Sequence, residues 1–65
     1  MNVLNEWPEI MTLRELANFL KVTNQTVYNM IWDKRIPAFK AGRSWRIKRE
    51  DVAKYMESMS NKKEN

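Results

Sequence analysis

The first regular pattern of hydrophobic and polar positions lies in residues 13–20, where leucine and alanine recur at intervals of three and four. That interval places the apolar side chains on one face of an α-helix. Thr12 precedes the pattern and Glu15 follows three residues later, as in a capping box, which satisfies two amides at a helix start. Met11 and Leu16 fit the hydrophobic staple that often accompanies this motif. The pattern predicts a first helix over residues 13–20.

A second helical pattern occupies residues 24–33, and its two faces differ in chemistry. Val27, Met30 and Ile31 fall on one face, which is predicted to be buried. The opposite face carries two amides and two aromatic rings: Gln25, Tyr28, Asn29 and Trp32. Amide side chains both donate and accept hydrogen bonds, so they suit the base edges exposed in the major groove of DNA. This face predicts a DNA-binding helix.

The limits of the second helix are indicated by the residues that flank it. Thr23 is a good N-cap, because its hydroxyl accepts a hydrogen bond from an otherwise unpaired amide. Pro37 disfavours helical geometry at Ile36, so the helix ends before that residue. The turn between the helices is two residues long, and its Val22 is expected to be buried between them. A turn this short predicts a helix-turn-helix.

Two short strands are predicted next, over residues 36–40 and 44–48. Gly42, the single glycine of the chain, lies between them, where a tight turn needs a positive φ. Alternation along the second strand points Trp45 and Ile47 inward and its other side chains outward. Phe39 is expected to pack against Trp45, which is interpreted as a core residue rather than a stacking platform. The strands form a basic hairpin.

A third helix is predicted from about Arg49, with Glu50 and Asp51 in the first turn, where the helix dipole favours negative charge. Its apolar stripe consists of Val52, Tyr55, Met56 and Met59. The predicted fold is mostly α with a two-stranded β wing, a winged helix-turn-helix.

Three segments are expected along the chain. Residues 1–10 form a flexible lead-in, with Trp7 and Ile10 as its docking points. Residues 11–59 form the single domain, and the polar residues 60–65 form a disordered tail.

The basic residues are concentrated around the predicted hairpin. Residues 34–49 contain seven lysines and arginines and no acidic residue, whereas the rest of the chain has five basic and eight acidic residues. A solvated charged surface is the simpler interpretation of such a run. Its position beside a helix with a polar face favours a phosphate-binding surface instead.

The composition excludes several classes of function. The chain has no cysteine and no histidine, so disulfides, the usual zinc sites, the common general base and the thiol nucleophile are missing. We expect no enzyme activity, no catalytic residue, no metal and no cofactor. No apolar run approaches the roughly 20 residues that cross a bilayer, and no secretory signal is visible. A cytoplasmic protein without a membrane partner is expected.

Five short motifs follow one another in the chain: Thr12-Leu13-Arg14-Glu15-Leu16-Ala17, Val22-Thr23-Asn24-Gln25-Thr26-Val27-Tyr28, Arg35-Ile36-Pro37-Ala38-Phe39-Lys40, Gly42-Arg43-Ser44-Trp45-Arg46-Ile47 and Arg49-Glu50-Asp51-Val52. In this order they resemble the excisionase-type, MerR-like DNA-binding domains, over nearly the whole chain. The resemblance implies a winged helix-turn-helix with helix two in the major groove and the wing on the backbone or minor groove of adjacent DNA. Lys34 stands where the family usually has glycine, so either the helix ends differently or a non-glycine residue adopts the left-handed conformation.

The resemblance also implies a role and its partners. The first expectation is an excisionase, an accessory factor that binds repeated DNA sites, bends the duplex and directs a site-specific recombinase (an integrase) toward excision of a mobile element. A small MerR-like transcriptional regulator is the alternative. MerR-type activators carry a long dimerising helix and an effector domain after this unit. This chain ends instead, so we expect a free monomer, several copies on DNA and no small-molecule effector. A bacterial or phage-encoded, nucleoid-associated protein would fit both roles.

Within the two DNA-facing elements, Gln25 and Asn29 are the best candidates for base contact, and Arg43 lies at the hairpin tip. Tyr28 is expected to donate its hydroxyl to a phosphate rather than cap the core. The candidate DNA-binding residues are Thr23, Asn24, Gln25, Thr26, Tyr28, Asn29, Lys40, Arg43, Ser44 and Arg46. Trp32 has three possible places: under the wing, on sugar and phosphate, or against a second copy. A protein-binding adaptor of a recombinase is the competing function, and it predicts little sensitivity of binding to salt.

Overall fold

The computed structural model describes residues 3–60, so residues 61–65 of the expected tail lie outside the described residues. Within the described range the chain forms three α-helices, a short 3₁₀ helix and three short strands. In chain order they are the 3₁₀ helix (Val3–Glu6), β1 (Ile10–Thr12), α1 (Leu13–Leu20), α2 (Asn24–Trp32), β2 (Phe39–Ala41), β3 (Ser44–Lys48) and α3 (Arg49–Met59). The architecture is that of a small helix-turn-helix domain with an antiparallel sheet.

The start of α1 has the predicted capping box. The Thr12 hydroxyl accepts from the Glu15 amide at 3.0 Å, and the Glu15 carboxylate accepts from the Thr12 amide at 2.9 Å. Two of the amides that every helix start leaves unpaired are thereby satisfied. The helix covers the predicted residues 13–20. At the start of α2, the Thr23 hydroxyl accepts from the Thr26 amide at 3.1 Å, so this predicted N-cap is also confirmed.

The helices α1 and α2 end in the same hydrogen-bonded motif, in which a lysine adopts the left-handed conformation. After α1, Lys21 has a φ of 61° and the Val22 amide donates to the Ala17 carbonyl at 2.9 Å. After α2, Lys34 has a φ of 63° and the amide of Arg35 donates to the Met30 carbonyl at 2.9 Å. These closures are those of a Schellman motif, which normally has glycine at the left-handed position. Of the two alternatives that the sequence left open at Lys34, the structure shows the second: this lysine adopts the left-handed conformation that usually requires glycine.

Two predictions around the helix-turn-helix need correction. Val22 is 39% exposed rather than buried, because the Schellman turn places it at the rim of the helix pair. The helical residues of α2 end at Trp32, with Asp33 as the C-cap, one residue earlier than predicted.

The sheet has three strands instead of the predicted two. Its order is β1-β3-β2, with both pairings antiparallel. β1 begins in the predicted lead-in and pairs Met11 with Ile47. The first strand of the hairpin begins at Phe39 rather than at Ile36, which is buried in the connection before it. β3 covers the predicted residues 44–48, and Gly42 has the expected positive φ of 68°.

The register of the hairpin corrects the expected contact between Phe39 and Trp45. Phe39 lies opposite Arg46, and Lys40 lies opposite Trp45. Directly opposed residues of an antiparallel pair have their side chains on the same face. Phe39 therefore shares the outer face with Arg46, while Trp45 shares the inner face with buried Ile47.

The core lies between the helices and the inner face of the sheet. Among residues 5–60, nine apolar side chains are buried: Met11, Leu16, Ala17, Val27, Met30, Ile31, Ile36, Ile47 and Val52. These include Val27, Met30 and Ile31, the three residues of α2 that the sequence predicted to be buried. In the apolar stripe of α3, Val52 is buried and Tyr55 is half-buried against the core, whereas Met56 and Met59 are 41% and 62% exposed. None of the described helices is long and apolar enough to cross a membrane.

Residues 5–9 are tied to the domain, in contrast to the loose lead-in that the sequence suggested. The Trp7 ring meets Phe19 of α1 edge to face, with 5.6 Å between ring centroids. The Arg49 guanidinium donates to the Trp7 carbonyl at 2.8 Å, and the Arg49 amide donates to the Glu9 carbonyl at 2.8 Å. Trp7 is thus the docking point that the sequence indicated, whereas Ile10 belongs to β1 and is 41% exposed.

Candidate nucleic-acid interface

The outward face of α2 presents the two candidate base-contacting amides side by side. Gln25 and Asn29 are both exposed, and the Gln25 amide nitrogen donates to the Asn29 side-chain oxygen at 3.0 Å. This bond orients the two groups relative to each other. It leaves the Gln25 oxygen and the Asn29 nitrogen free, one acceptor and one donor. A donor and an acceptor together match the pattern that adenine shows in the major groove.

Aromatic side chains continue the same face toward the end of the helix. Tyr28 is 37% exposed, and its ring meets Trp32 edge to face with 6.0 Å between centroids. Trp32 is 63% exposed, so it does not pack under the hairpin. Tyr28 is therefore at the surface, as predicted, with its ring against Trp32.

The first turn of α2 is polar and exposed. Asn24 is the first helical residue, and Thr26 lies within the same turn. The Thr23 hydroxyl accepts from the Thr26 amide and also shares a hydrogen bond of 2.9 Å with the Thr26 hydroxyl. These two hydroxyls are thus used in the cap, while the exposed Asn24 lies at the positive end of the helix dipole.

The candidate residues of the hairpin have different environments. Arg43 is exposed in the two-residue turn, after Gly42, and Ser44 is exposed beside it. Arg46 is half-buried, and its guanidinium donates to the Trp45 carbonyl at 3.1 Å. The Lys40 ammonium lies 5.2 Å from the centroid of the Trp45 ring, at cation–π distance. Arg43 is the least constrained of the three cations.

A groove of about 400 Å³ brings the first turn of α2 and the hairpin together. Its lining includes Asn24 from α2, with Ser44 and Arg46 from β3. The start of α1 forms another wall, with Thr12, Leu13 and Arg14. Arg14 is exposed and was not among the predicted contact residues. Its place on the polar side of the α1 pattern predicts that it is exposed, but the sequence does not indicate that it lies near the hairpin.

Besides Arg46, two more arginines of the basic stretch have intramolecular partners. The side chain of Arg35 lies 3.9 Å from the Asp33 carboxylate, with both side chains about 60% exposed. Arg49 binds backbone carbonyls of residues 5–9 and is half-buried. The groove itself is lined by Arg14 and Arg46, and the hairpin adds the exposed cations Lys40, Arg43 and Lys48.

Comparison with known proteins identifies the family. A helix-turn-helix domain family matches residues 10–60. A stretch of 48 residues is 40% identical to the protein YvgK of Bacillus subtilis (strain 168), which is described as uncharacterized. That stretch is 74% of this chain but 16% of YvgK. No solved structure matches the chain significantly. The match over residues 10–60 spans all three α-helices and the sheet, and the chain therefore belongs to this family of small, excisionase-like helix-turn-helix domains that bind DNA.

Proposed function

We propose that this protein binds double-stranded DNA with α2 in the major groove and the β2–β3 hairpin on the adjacent backbone or minor groove. The observation that carries the proposal is the groove shared by Asn24, Ser44 and Arg46. It joins the amino end of α2 to the outer face of the hairpin. A duplex that lies across this groove meets Asn24 at the amino end of α2 and Ser44 and Arg46 on the hairpin.

The chemistry of α2 and of the hairpin supports two different roles, base contact for α2 and phosphate contact for the hairpin. The Gln25–Asn29 pair offers hydrogen-bond groups suited to base edges, which carry sequence information. Arg43 and Arg46 offer positive charge suited to phosphates, which position the protein without selecting a sequence. Arg14 at the start of α1 adds a third cation on the far wall of the groove.

We infer that its role is that of an excisionase. The protein would bind repeated sites, bend the duplex and direct a site-specific recombinase toward excision of a mobile element. The membership of the chain in an excisionase-like family supports this role. So does the small size of the domain, because one module of this kind buries limited DNA surface and works best in several copies.

Salt dependence tests the DNA-binding proposal directly. Binding to a duplex should weaken linearly on a logarithmic salt scale, with a slope of about −0.9 for each phosphate contact. With three or four contacting cations, affinity should fall by roughly 40- to 150-fold between 50 and 200 mM salt. Failure to bind any duplex at low salt would contradict the proposal. It would favour a protein-binding adaptor instead.

The excisionase role needs a separate test. DNA sequences selected by the protein from a random pool would be located in the genome that encodes it. Repeated sites beside the attachment site of a recombinase support the role, and the protein should then raise excision by that recombinase relative to integration. Sites confined to promoters would contradict it.

A MerR-like transcriptional regulator is the second candidate. It is favoured by one observation: the stretch similar to this chain makes up 16% of YvgK, so a domain of this type also occurs as a small part of a longer protein. The genomic location of the selected sites separates the two roles, since a regulator binds at promoters.

A further inference from the structure

Trp32 is the most exposed of the large apolar side chains in the described residues, at 63%. Leaving a tryptophan in water forgoes the burial of a large apolar surface, and with the adjacent Tyr28 ring Trp32 forms an exposed aromatic surface suited to contact with another molecule. The position of Trp32 on α2 limits what that molecule is. Gln25 and Trp32 are seven residues apart, which places them on the same line of the helix surface.

The spacing along this line fits the spacing of base pairs. Seven residues of α-helix extend about 10.5 Å, which corresponds to about three base-pair steps of 3.4 Å in a duplex. A helix that lies along the major groove with Gln25 on one base edge therefore carries Trp32 about three base pairs farther along the groove. Trp32 thus extends the surface of α2 that is proposed to face DNA, at the carboxyl end of the helix beside Tyr28.

The surroundings of Trp32 favour a nucleic acid over an acidic or purely apolar partner. The edge-to-face contact with Tyr28 holds the ring in position. The neighbouring Asp33 carboxylate is paired with Arg35, so its charge is offset. Lys34 is exposed directly after it. An aromatic ring that continues an amide face and is followed in the sequence by an exposed lysine suits a groove lined by phosphates.

We propose that Trp32 contacts the 5-methyl group of a thymine in the major groove and thereby selects for thymine at one position of the DNA site. The thymine methyl is the apolar group that the major groove exposes, and apolar side chains are its natural partners. The inference rests on the proposed function, because it requires α2 to occupy the major groove. It extends that function by assigning a specificity-determining role to a residue outside the amide pair.

The test removes the methyl group alone. A duplex obtained by selection from a random pool is remade with deoxyuridine at one thymine at a time, which keeps base pairing and deletes only the 5-methyl. The unmodified protein should lose about fourfold in affinity at one thymine, the effect of one buried methyl-sized group. Trp32→Ala should bind the thymine duplex more weakly by about fourfold or more and be insensitive to deoxyuridine at that position.

Two variants serve as controls. Met59→Ala removes an apolar side chain of nearly equal exposure, 62%, from α3 and should retain both the affinity and the sensitivity to deoxyuridine. Trp32→Leu keeps an apolar group and should recover part of the sensitivity. Thermal unfolding should be nearly unchanged in all three variants, because the replaced side chains are mostly in solvent.

The outcomes separate this inference from the proposed function. Specific binding with no thymine sensitive to deoxyuridine, or equal sensitivity in the unmodified protein and Trp32→Ala, would overturn the role of Trp32 and leave DNA binding intact. Trp32→Ala that retains single-site affinity but loses cooperativity between adjacent sites would also overturn it and assign Trp32 to a contact between copies. Absence of binding to any duplex would overturn the proposed function itself.

Discussion

At the scale of single residues, the hydrogen bond between Gln25 and Asn29 changes what mutation of either should do. The Gln25 amide nitrogen and the Asn29 oxygen satisfy each other at 3.0 Å before DNA arrives. Each side chain is thus oriented by the other, and less rotamer entropy remains to be lost when a base binds. Removal of one amide also releases its partner, so the two residues are expected to act as one unit.

Gln25→Ala and Asn29→Ala should each weaken binding to a selected site by on the order of 1–3 kcal/mol. The double variant should lose less than the sum of the two, by about 0.5 kcal/mol or more, because neighbouring groups in one network are coupled. Titrations of all three variants on selected and random duplexes measure this. Asn18→Ala, an exposed asparagine on α1, is the matched control and should behave as the unmodified protein. Equal losses on selected and random DNA would show that these amides do not contribute to specificity.

At the scale of secondary-structure elements, the end of α2 is defined by a residue that adopts an unfavourable conformation. Lys34 has a φ of 63°, a region that costs a non-glycine residue roughly 1–2 kcal/mol. Its amide donates to the Ile31 carbonyl at 3.1 Å, and the next amide closes the Schellman turn. The hydrogen bonds of the turn hold the backbone there. Glycine at this position would have the same conformation without the steric cost.

Lys34→Gly should therefore raise the free energy of unfolding by about 0.5–1 kcal/mol, after the entropy of the more flexible unfolded chain is subtracted. Lys34→Ala is the control, because it removes the charge but keeps the Cβ and should give no such gain. Chemical denaturation of both variants provides the measurement. Equal stability of the two would mean that the conformation of Lys34 is not strained.

The hairpin should contribute to DNA affinity through charge. Arg43→Ala and Arg46→Ala should weaken binding to all sequences, and each should make the salt slope smaller by about 0.9, because each removes one cation from a phosphate. Arg43 is the more exposed of the two, and Arg46 keeps free guanidinium donors beside its bond to the Trp45 carbonyl. Lys54→Ala removes an exposed cation from α3 and should leave the slope unchanged. An unaltered slope in both arginine variants would place the hairpin away from DNA.

The elements that the sequence predicted well are those with local signals. The capping box fixed the start of α1 at residue 13, and Thr23 fixed the start of α2 at residue 24, because a cap is formed by residues within one helical turn. β1 was missed because it is three residues long and its Met11 pairs with Ile47, far along the chain, so no local alternation indicates it. The register of Phe39 depends likewise on pairing across the sheet. Arg14 was missed because its proximity to the hairpin exists only in the folded chain.

At the scale of the whole molecule, the basic residues separate into those that hold the fold and those that are free for DNA. Arg49 belongs to the first group, since its guanidinium binds the Trp7 carbonyl at 2.8 Å across 42 positions of the sequence. Residues 5–9 precede the family match and add the Trp7–Phe19 contact to the domain. The charge of Arg49 therefore stabilises a tertiary contact, and we expect Arg49 not to contact phosphate.

Arg49→Ala should lower the free energy of unfolding by about 1–2 kcal/mol, because it removes hydrogen bonds from a charged donor to backbone carbonyls. The salt slope of DNA binding should stay unchanged at temperatures where the variant is folded. Denaturation together with salt titration separates the two effects. A smaller slope with unaltered stability would instead place Arg49 among the phosphate contacts.

The dimensions of the domain lead to a last prediction, on assembly. Its longest extent of 41 Å spans about 12 bp at 3.4 Å per step, so one copy covers less than half of a segment of about 30 bp. Bending 20–30 bp of duplex through 40–90° costs on the order of 1–6 kcal/mol, which several adjacent copies offset more readily than one. On duplexes with one, two and three selected sites, binding should become cooperative and the curvature of the DNA should increase with each added site. Titration with gel-based bend analysis measures both quantities. Independent binding without a change in curvature would contradict the architectural role and favour a regulator that acts at single sites.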